Sequence, residues 1–307
     1  MLDLEEISKH FLSQAVQDQN LFKDYPITQN KVLQTISKRV LAENRQKLGS
    51  SLNLLVLSSS GALCKLNIRN NYQENVSQAR NVTGFAGAVK MDNCIYLLGC
   101  RTSYTASNSV EKFNLNFPES GWKKSTPMPK ENHSLLTSVF KNSHIFAKGS
   151  SWSAQTHVFA VKSRKWTSVP CDQNFTNTFI PTSDRIYGFP SWQYCDVPGA
   201  QWKPVAKKVE NVLFGIACGS NIYLFAEDEN GISLHLYDTL QETATKENTM
   251  TGTTHMKDAC FVNGNIVAVV KSLNEGWLLK EYEVQKSEWR VLTGIKDEED
   301  FNKIFSL

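Results

Sequence analysis

Short apolar runs separated by polar turn residues fill most of the chain after residue 51. Residues 94–98 (CIYLL) follow the turn residues 91–93, and residues 265–270 follow the pair Asn263-Gly264. Asn-Gly is a strong signal for a tight β-hairpin, because both turn positions adopt positive φ and these two residues tolerate it. The pattern predicts many short antiparallel strands and few helices.

A second pattern marks one hairpin in each repeat. Residues 282–289 read YEVQKSEW, in which a tyrosine and a tryptophan flank a polar turn. Aromatic pairs of this kind pack across the outer two strands of a sheet. The frame recurs at residues 66–73, 113–122, 159–166, 195–202 and 237–244. The copy at 113–122 has two inserted residues, and the copies at 66–73 and 237–244 lack the tryptophan.

The frames recur at a regular distance. Their closing positions are 49, 44, 36, 42 and 45 residues apart. A repeat of about 40–50 residues that contains four short strands is typical of a β-propeller. The six copies therefore predict an all-β, six-bladed propeller over residues 51–307.

The first and last strands predict how the ring closes. Blade one has apolar runs for only three strands, at residues 52–57, 62–68 and 72–77, whereas the chain ends in an alternating stretch at residues 301–307. A free edge on blade one would expose unpaired backbone groups. We therefore expect residues 301–307 to be the innermost strand of blade one.

Residues 1–50 differ in kind from the rest. Apolar residues recur at helical spacing on both sides of the break at Asp24-Tyr25-Pro26, and Gly49 ends the pattern. These positions are Leu4, Ile7, Phe11, Leu12, Ala15 and Val16, then Val32, Leu33, Ile36, Val40 and Leu41. Two amphipathic helices are predicted.

Both parts resemble one known family. The frames with an aromatic residue and a tryptophan at this spacing are similar to kelch repeats, and residues 11–50 (FLSQAVQDQN to KLGS) resemble the last helices of a BACK domain. The chain thus resembles kelch-like proteins of the BTB-BACK-kelch type, with a partial BACK segment at 1–50 and a kelch propeller at 51–307. The resemblance implies the substrate-recognition part of a cullin-RING E3 ubiquitin ligase adaptor. The alternative is an actin-associated cytoskeletal scaffold.

The chain departs from the family in two ways. The paired glycines of kelch blades are missing, for example at Ala226-Glu227 and Val270-Lys271, so longer or bulkier turns are expected there. No BTB domain is recognisable, and nothing in residues 1–48 replaces it. Cullin binding is therefore expected only if a BTB domain lies upstream in a longer form.

Charge and cysteine usage narrow the partner classes. A net charge of +3 with scattered basic residues indicates neither a nucleic-acid nor a membrane surface. The start MLDLEEISKH lacks the features of an export signal, and the seven cysteines form no C-x-x-C pair. A cytoplasmic protein is expected, with the nucleus left open as a further compartment.

Catalysis is not expected. No two of the six histidines stand at i, i+2 or i, i+4, and no Ser-His-Asp or Cys-His set can be assembled from spacing. The sequence predicts no enzyme, no catalytic residue, no metal and no cofactor.

Surface recognition remains, at one mouth of the propeller. Loops between blades, and loops between the second and third strands of each blade, should line this mouth and bind a protein, either a substrate or a cytoskeletal protein. Exposed Trp, Tyr and Arg side chains are typical of binding hot spots. The predicted partner-binding residues are Arg80, Asn81, Arg101, Tyr104, Asn132, His133, Trp152, Asn177, Trp192, Gln193, Tyr194, Asn211 and His255. The alternative for the aromatic residues is that they fold back and cap the blade edges.

Overall fold

The computed structural model describes residues 53–58, 61–68, 72–78, 85–100, 105–132, 134–149, 155–170, 178–196, 201–206, 209–295 and 303–307. They all fall in the unit Leu52–Leu307. The helical segment predicted for residues 1–50 lies outside the described residues.

Six four-stranded antiparallel sheets are arranged as the blades of a propeller. Blade one combines β1 (Asn53–Leu57), β2 (Ala62–Asn67) and β3 (Tyr72–Gln78) with the last strand of the chain, β24 (Lys303–Ser306), in the order β24-β1-β2-β3. In each other blade the four strands follow chain order.

The remaining strands, four to a blade, are as follows. Blade two has β4 (Gly87–Met91), β5 (Cys94–Leu98), β6 (Val110–Asn114) and β7 (Lys123–Lys124); blade three has β8 (Leu135–Phe140), β9 (His144–Gly149), β10 (Gln155–Ala160) and β11 (Lys165–Pro170). Blade four has β12 (Thr178–Pro181), β13 (Ile186–Phe189), β14 (Gln193–Cys195) and β15 (Lys203–Pro204); blade five has β16 (Val212–Cys218), β17 (Asn221–Asp228), β18 (Gly231–Asp238) and β19 (Thr243–Thr251). Blade six has β20 (Thr253–Val262), β21 (Asn265–Ser272), β22 (Gly276–Glu283) and β23 (Glu288–Ile295).

Burial along each blade explains the pattern of the sequence. The second strands carry unbroken buried runs at residues 54–57, 95–98, 222–226 and 266–270, because a neighbouring blade covers each face of the sheet. The short outermost strands β7 and β15 are exposed and polar instead. The core consequently lies between blades: one cluster joins Leu57 and Leu63 of blade one to Ile95 and Phe113 of blade two. The prediction of a six-bladed, all-β propeller is confirmed.

The aromatic frames form the outer hairpins as predicted. Phe159 and Trp166 are directly paired in the ladder with ring centroids 4.9 Å apart, and Tyr282 and Trp289 are paired with centroids 5.0 Å apart. Blade four is different, since Trp202 stacks on Phe179 of its own innermost strand at 5.8 Å. The spacing therefore identifies the hairpins, while the contacts of the tryptophan vary.

Turns without paired glycines are not uniformly longer. A loop of eleven residues, 99–109, joins β5 to β6, but only residues 229–230 join β17 to β18 and residues 273–275 join β21 to β22. In blades five and six the ladder simply continues, so their middle strands reach eight residues. The expectation of longer turns is wrong for these two blades, because the extended ladder ends in a tight turn that closes on a glycine with positive φ, Gly231 at 144° and Gly276 at 76°.

The ring is closed by the last strand. β24 pairs antiparallel with β1, with Ile304 opposite Val56 and Phe305 opposite Leu55. Side chains from the two flanking blades bond to β24 at its inner edge. From blade two, Lys90 of β4 donates through its Nζ to the Ser306 carbonyl oxygen at 2.6 Å. The closing strand predicted from the strand count is confirmed for Lys303–Ser306, and residues 301–302 lie outside the described residues.

Asp258 of β20 holds the closing strand from the other side. One carboxylate oxygen accepts from Lys303 Nζ at 2.9 Å, and the other accepts from the Ile304 backbone N–H at 2.8 Å. The Asp258 side chain is only 4% exposed. A buried carboxylate is costly unless its oxygens are bonded, so Asp258 is stable only when β24 is in place.

We predict that a chain ending at Asp300 unfolds at a lower temperature and over a broader range than the full chain. Removing β24 unpairs the edge of β1 and leaves the Asp258 carboxylate buried without the two donors described above. Thermal unfolding followed by circular dichroism measures both effects. Equal midpoint and sharpness for the two chains would refute closure by this strand.

We also predict energetic coupling between Asp258 and Lys303. Asp258→Asn and Lys303→Met should each lower the free energy of unfolding by about 1–3 kcal/mol, the range for a charge-assisted hydrogen bond. The double variant should cost clearly less than the sum of the two, because the pair is broken only once. Asp92→Asn is the control, since this exposed aspartate occupies a positive-φ turn position that asparagine tolerates. If the effects of the Asp258 and Lys303 substitutions add in urea unfolding, the ion pair between these two side chains does not stabilise the protein.

Candidate functional site

The two loop sets predicted to line one mouth do meet in blade two. Ser107 lies in the loop between β5 and β6, and Asn132 lies in the loop that leads from blade two to blade three. They form an isolated antiparallel bridge, in which the Asn132 N–H donates to the Ser107 carbonyl at 3.1 Å. We call this end of the propeller the rim, and the end that carries the other turns the opposite end.

Asn132 is a structural part of the rim. Its Nδ2 donates to the Lys130 carbonyl at 3.3 Å, and its Oδ1 lies where a side chain on residue 149 would begin, 2.1 Å from an ideal Cβ. Gly149, the last residue of β9, therefore allows the amide of Asn132 to pack onto blade three. The side chain is half-buried, with part of its surface left at the rim.

Asn211 and His255 are exposed at the rim of blades five and six. Asn211 directly precedes β16, has a φ of 51°, and accepts a hydrogen bond from the Glu227 N–H at 3.0 Å. His255 lies near the start of β20, beside a bulge, with its Nδ1 3.1 Å from Thr254 Oγ1. Both blades start their innermost strands here, so these two polar side chains belong to one surface.

Trp192 is buried, not exposed. It is 4% exposed, and its ring lies 4.8 Å from Phe189 and 5.6 Å from Tyr237 of blade five. Blade five has Ala244 instead of a tryptophan opposite Tyr237, and Trp192 supplies the aromatic contact from the neighbouring blade. For Trp192 the alternative of an aromatic that folds back onto the blades is therefore correct, and the expectation of an exposed loop aromatic is wrong.

Gln193 and Tyr194 belong to β14 itself. Tyr194 is half-buried, and two cations lie over its ring: the Arg185 guanidinium at 4.5 Å and Lys203 Nζ at 5.6 Å from the centroid. Arg185 follows the first turn of blade four, so this cluster is directed towards the opposite end. Gln193 is half-buried next to the rim turn. Of the three neighbouring predicted residues Trp192, Gln193 and Tyr194, only Gln193 is placed to contribute to the rim.

The other predicted partner-binding residues stay predictions. Seven of them lie outside the described residues: Arg80, Asn81, Arg101, Tyr104, His133, Trp152 and Asn177.

The central channel is a cavity of about 540 Å³ bordered by the innermost strands of all six blades. Its charged groups include Lys90, Lys303 and Asp258, all of which bond the closing strand or belong to it. Burial lowers the pKa of Lys90 and raises the pKa of the Cys260 thiol well above its ordinary value, so that thiol stays protonated at neutral pH. Lys90, Lys303 and Asp258 are thus engaged in closure, and the Cys260 thiol is not activated as a nucleophile.

Sequence reasoning did not single out Asp258 or the position of Trp192. A charged residue at the head of the apolar run DACFV was a usable signal for Asp258, because such a residue is buried only with partners. Nothing in the sequence near Trp192 indicates that its ring packs on the next blade.

Comparison of the chain with known proteins identifies no family. No model of a protein family matches it, and no curated protein matches it. The six-bladed propeller is compatible with a kelch-type propeller, and propellers commonly serve as protein-interaction modules. Among the described residues, no three or more His, Cys, Asp or Glu side chains are arranged to hold a metal ion. In the same part of the chain, no helix has the length and apolar character needed to cross a membrane.

We predict that Trp192→Ala lowers the free energy of unfolding by about 3–5 kcal/mol, as expected for truncation of a buried tryptophan. Phe117→Ala is the matched control: its aromatic ring is 57% exposed, and its loss should change stability by no more than about 0.5 kcal/mol. Chemical unfolding of the two variants decides. Similar small losses of stability in both variants would contradict the burial of Trp192.

Proposed function

We propose that this propeller is a kelch-type protein-recognition module that binds a protein partner at its rim. The observation that carries the proposal is the rim itself: loops between and within blades meet there in blade two, and Asn211 and His255 are exposed there in blades five and six. The backbone at both residues is held by hydrogen bonds to the next strand, so little backbone freedom is lost on binding, which favours affinity. A rim of this kind reads the surface of a partner rather than a small molecule.

We further propose that the partner is a substrate of a cullin-RING ubiquitin ligase for which this chain is the recognition part, in the cytoplasm. The support is the resemblance of residues 1–50 and of the aromatic frames to kelch-like proteins. Docking on a cullin requires a BTB domain in addition to residues 1–307, so the ligase activity belongs to the assembled form.

We predict that rim substitutions abolish partner capture without unfolding the protein. The rim variant combines Tyr104→Ala, Asn211→Asp and His255→Ala. The opposite-end control combines Lys162→Ala, Gln241→Ala and Glu288→Ala, at exposed positions on the outer hairpins. Immobilised full chain and both variants are incubated with cell extract, and bound proteins are quantified by mass spectrometry. Partners retained by the control and lost by the rim variant support the proposal; equal loss or equal retention contradicts it.

The ligase role needs its own experiment. The full chain is fused to a cullin-binding BTB domain, and ubiquitination of the captured partner is followed in a reconstituted ligase reaction. Modification that depends on Asn211 and His255 supports the substrate-recognition role. If the rim-dependent partner is filamentous actin, shown by co-sedimentation, and is not modified, the cytoskeletal scaffold is the correct function.

A further inference from the structure

The two residues inserted in the frame at 113–122 build a feature at the opposite end of blade two. The extra length folds as a 3-10 turn, Pro118–Ser120, preceded by Phe117, whose ring is 57% exposed. Gly121, with a φ of 61°, returns the chain to β7. A projecting wall with an exposed aromatic ring results.

A groove with a volume of about 470 Å³ separates this wall from the outer hairpin of blade three. Tyr96 of β5 and Phe159 of β10, each 2% exposed, lie at its base. The far side is the turn after β10, which is tied to blade two by the Trp166 Nε1–H donating to the Thr126 carbonyl at 3.1 Å. The groove is therefore held on both sides by fixed backbone.

Cations line the groove. Lys112 and Lys123 are directly opposite each other on β6 and β7, so both side chains leave the sheet on the same face. Lys112 Nζ lies 5.3 Å from the centre of the Tyr96 ring, and Arg164 faces them from blade three. Like charges at directly paired positions are unfavourable for the sheet. An anion bound between Lys112 and Lys123 would offset this repulsion.

Among the described residues that border this groove, none carries a carboxylate. Within the described part of the chain, neither Lys112, Lys123 nor Arg164 forms an ion pair with an acidic side chain. Elsewhere the exposed cations Lys203 and Lys246 are paired with aspartates. The groove is thus a concentrated positive site on a chain whose net charge is only +3.

We propose that this groove binds an acidic linear peptide segment, with its carboxylates between Lys112, Lys123 and Arg164 and an adjacent apolar side chain against Phe117. Charge complementarity selects the acidic residues. The exposed Phe117 ring beside the cations selects a peptide over a free anion, since a small anion makes no use of it. The site lies at the opposite end from the rim, so it goes beyond the proposed function and is tested separately.

The test uses the full chain and a fluorescent peptide in which a run of glutamates is followed by leucine. Binding is measured by fluorescence anisotropy at low and at physiological salt. Lys123→Glu with Arg164→Glu should weaken binding about tenfold or more, because charge-assisted contacts become repulsive. Phe117→Ser should weaken binding of this peptide but not of one in which alanine replaces the leucine.

The matched control is Lys162→Glu with Lys165→Glu. Both residues are exposed, lie in or beside the same turn as Arg164, and change the net charge equally, but they do not line the groove. Binding retained by this control and lost by the groove variant supports the proposal. No binding of the acidic peptide, equal loss in both variants, equal binding of a glutamine version, or full competition by inorganic phosphate or a short oligonucleotide at matched charge each overturns it. Thermal unfolding confirms that each variant is folded.

Discussion

Closure of the ring by β24 is the constraint on which the rest of the propeller depends. The second strand of blade one carries four consecutive buried residues, 54–57, and β24 covers the edge that they would otherwise present. Each fully buried Leu side chain contributes about 1.5–3 kcal/mol, but only while the neighbouring strand and blade stay in place. Four ladder pairs are a short seam for so large a sheet edge. The seam is strengthened by side chains from blades on both sides.

Asp258 makes the stability of blade six depend on the pairing of β24. Its carboxylate takes one donor from the side chain of Lys303 and one from the backbone of Ile304. When β24 leaves, a nearly fully buried carboxylate loses both donors, and the cost falls on blade six as well as on blade one. Blades one and six, which also share an apolar cluster, are thereby coupled into one cooperative unit. A β-propeller closed in this way holds its rim loops on a fixed frame.

Local pattern was sufficient to predict the strands, the hairpins and the blade count. The pairs Phe159–Trp166 and Tyr282–Trp289 are near neighbours in the chain, so spacing alone reveals them. The closing strand was predictable because counting strands left one gap and one spare strand. Trp192 was not predictable, since its burial depends on the missing tryptophan at Ala244 in the next blade. Contacts between blades join residues far apart in sequence, and periodicity carries no information about them.

The chemistry of the channel determines what binding of a ligand there would cost. An anion that entered the channel would compete for Lys90 and Lys303, which bond the Ser306 carbonyl and Asp258. Binding there would loosen the closing strand, so the free energy of binding would be reduced by the cost of opening the ring. A ligand at the rim or in the outer groove touches neither cation and leaves closure intact. The axis therefore holds the blades together, and a ligand that binds at the rim or on the outer hairpins does so at no cost to closure.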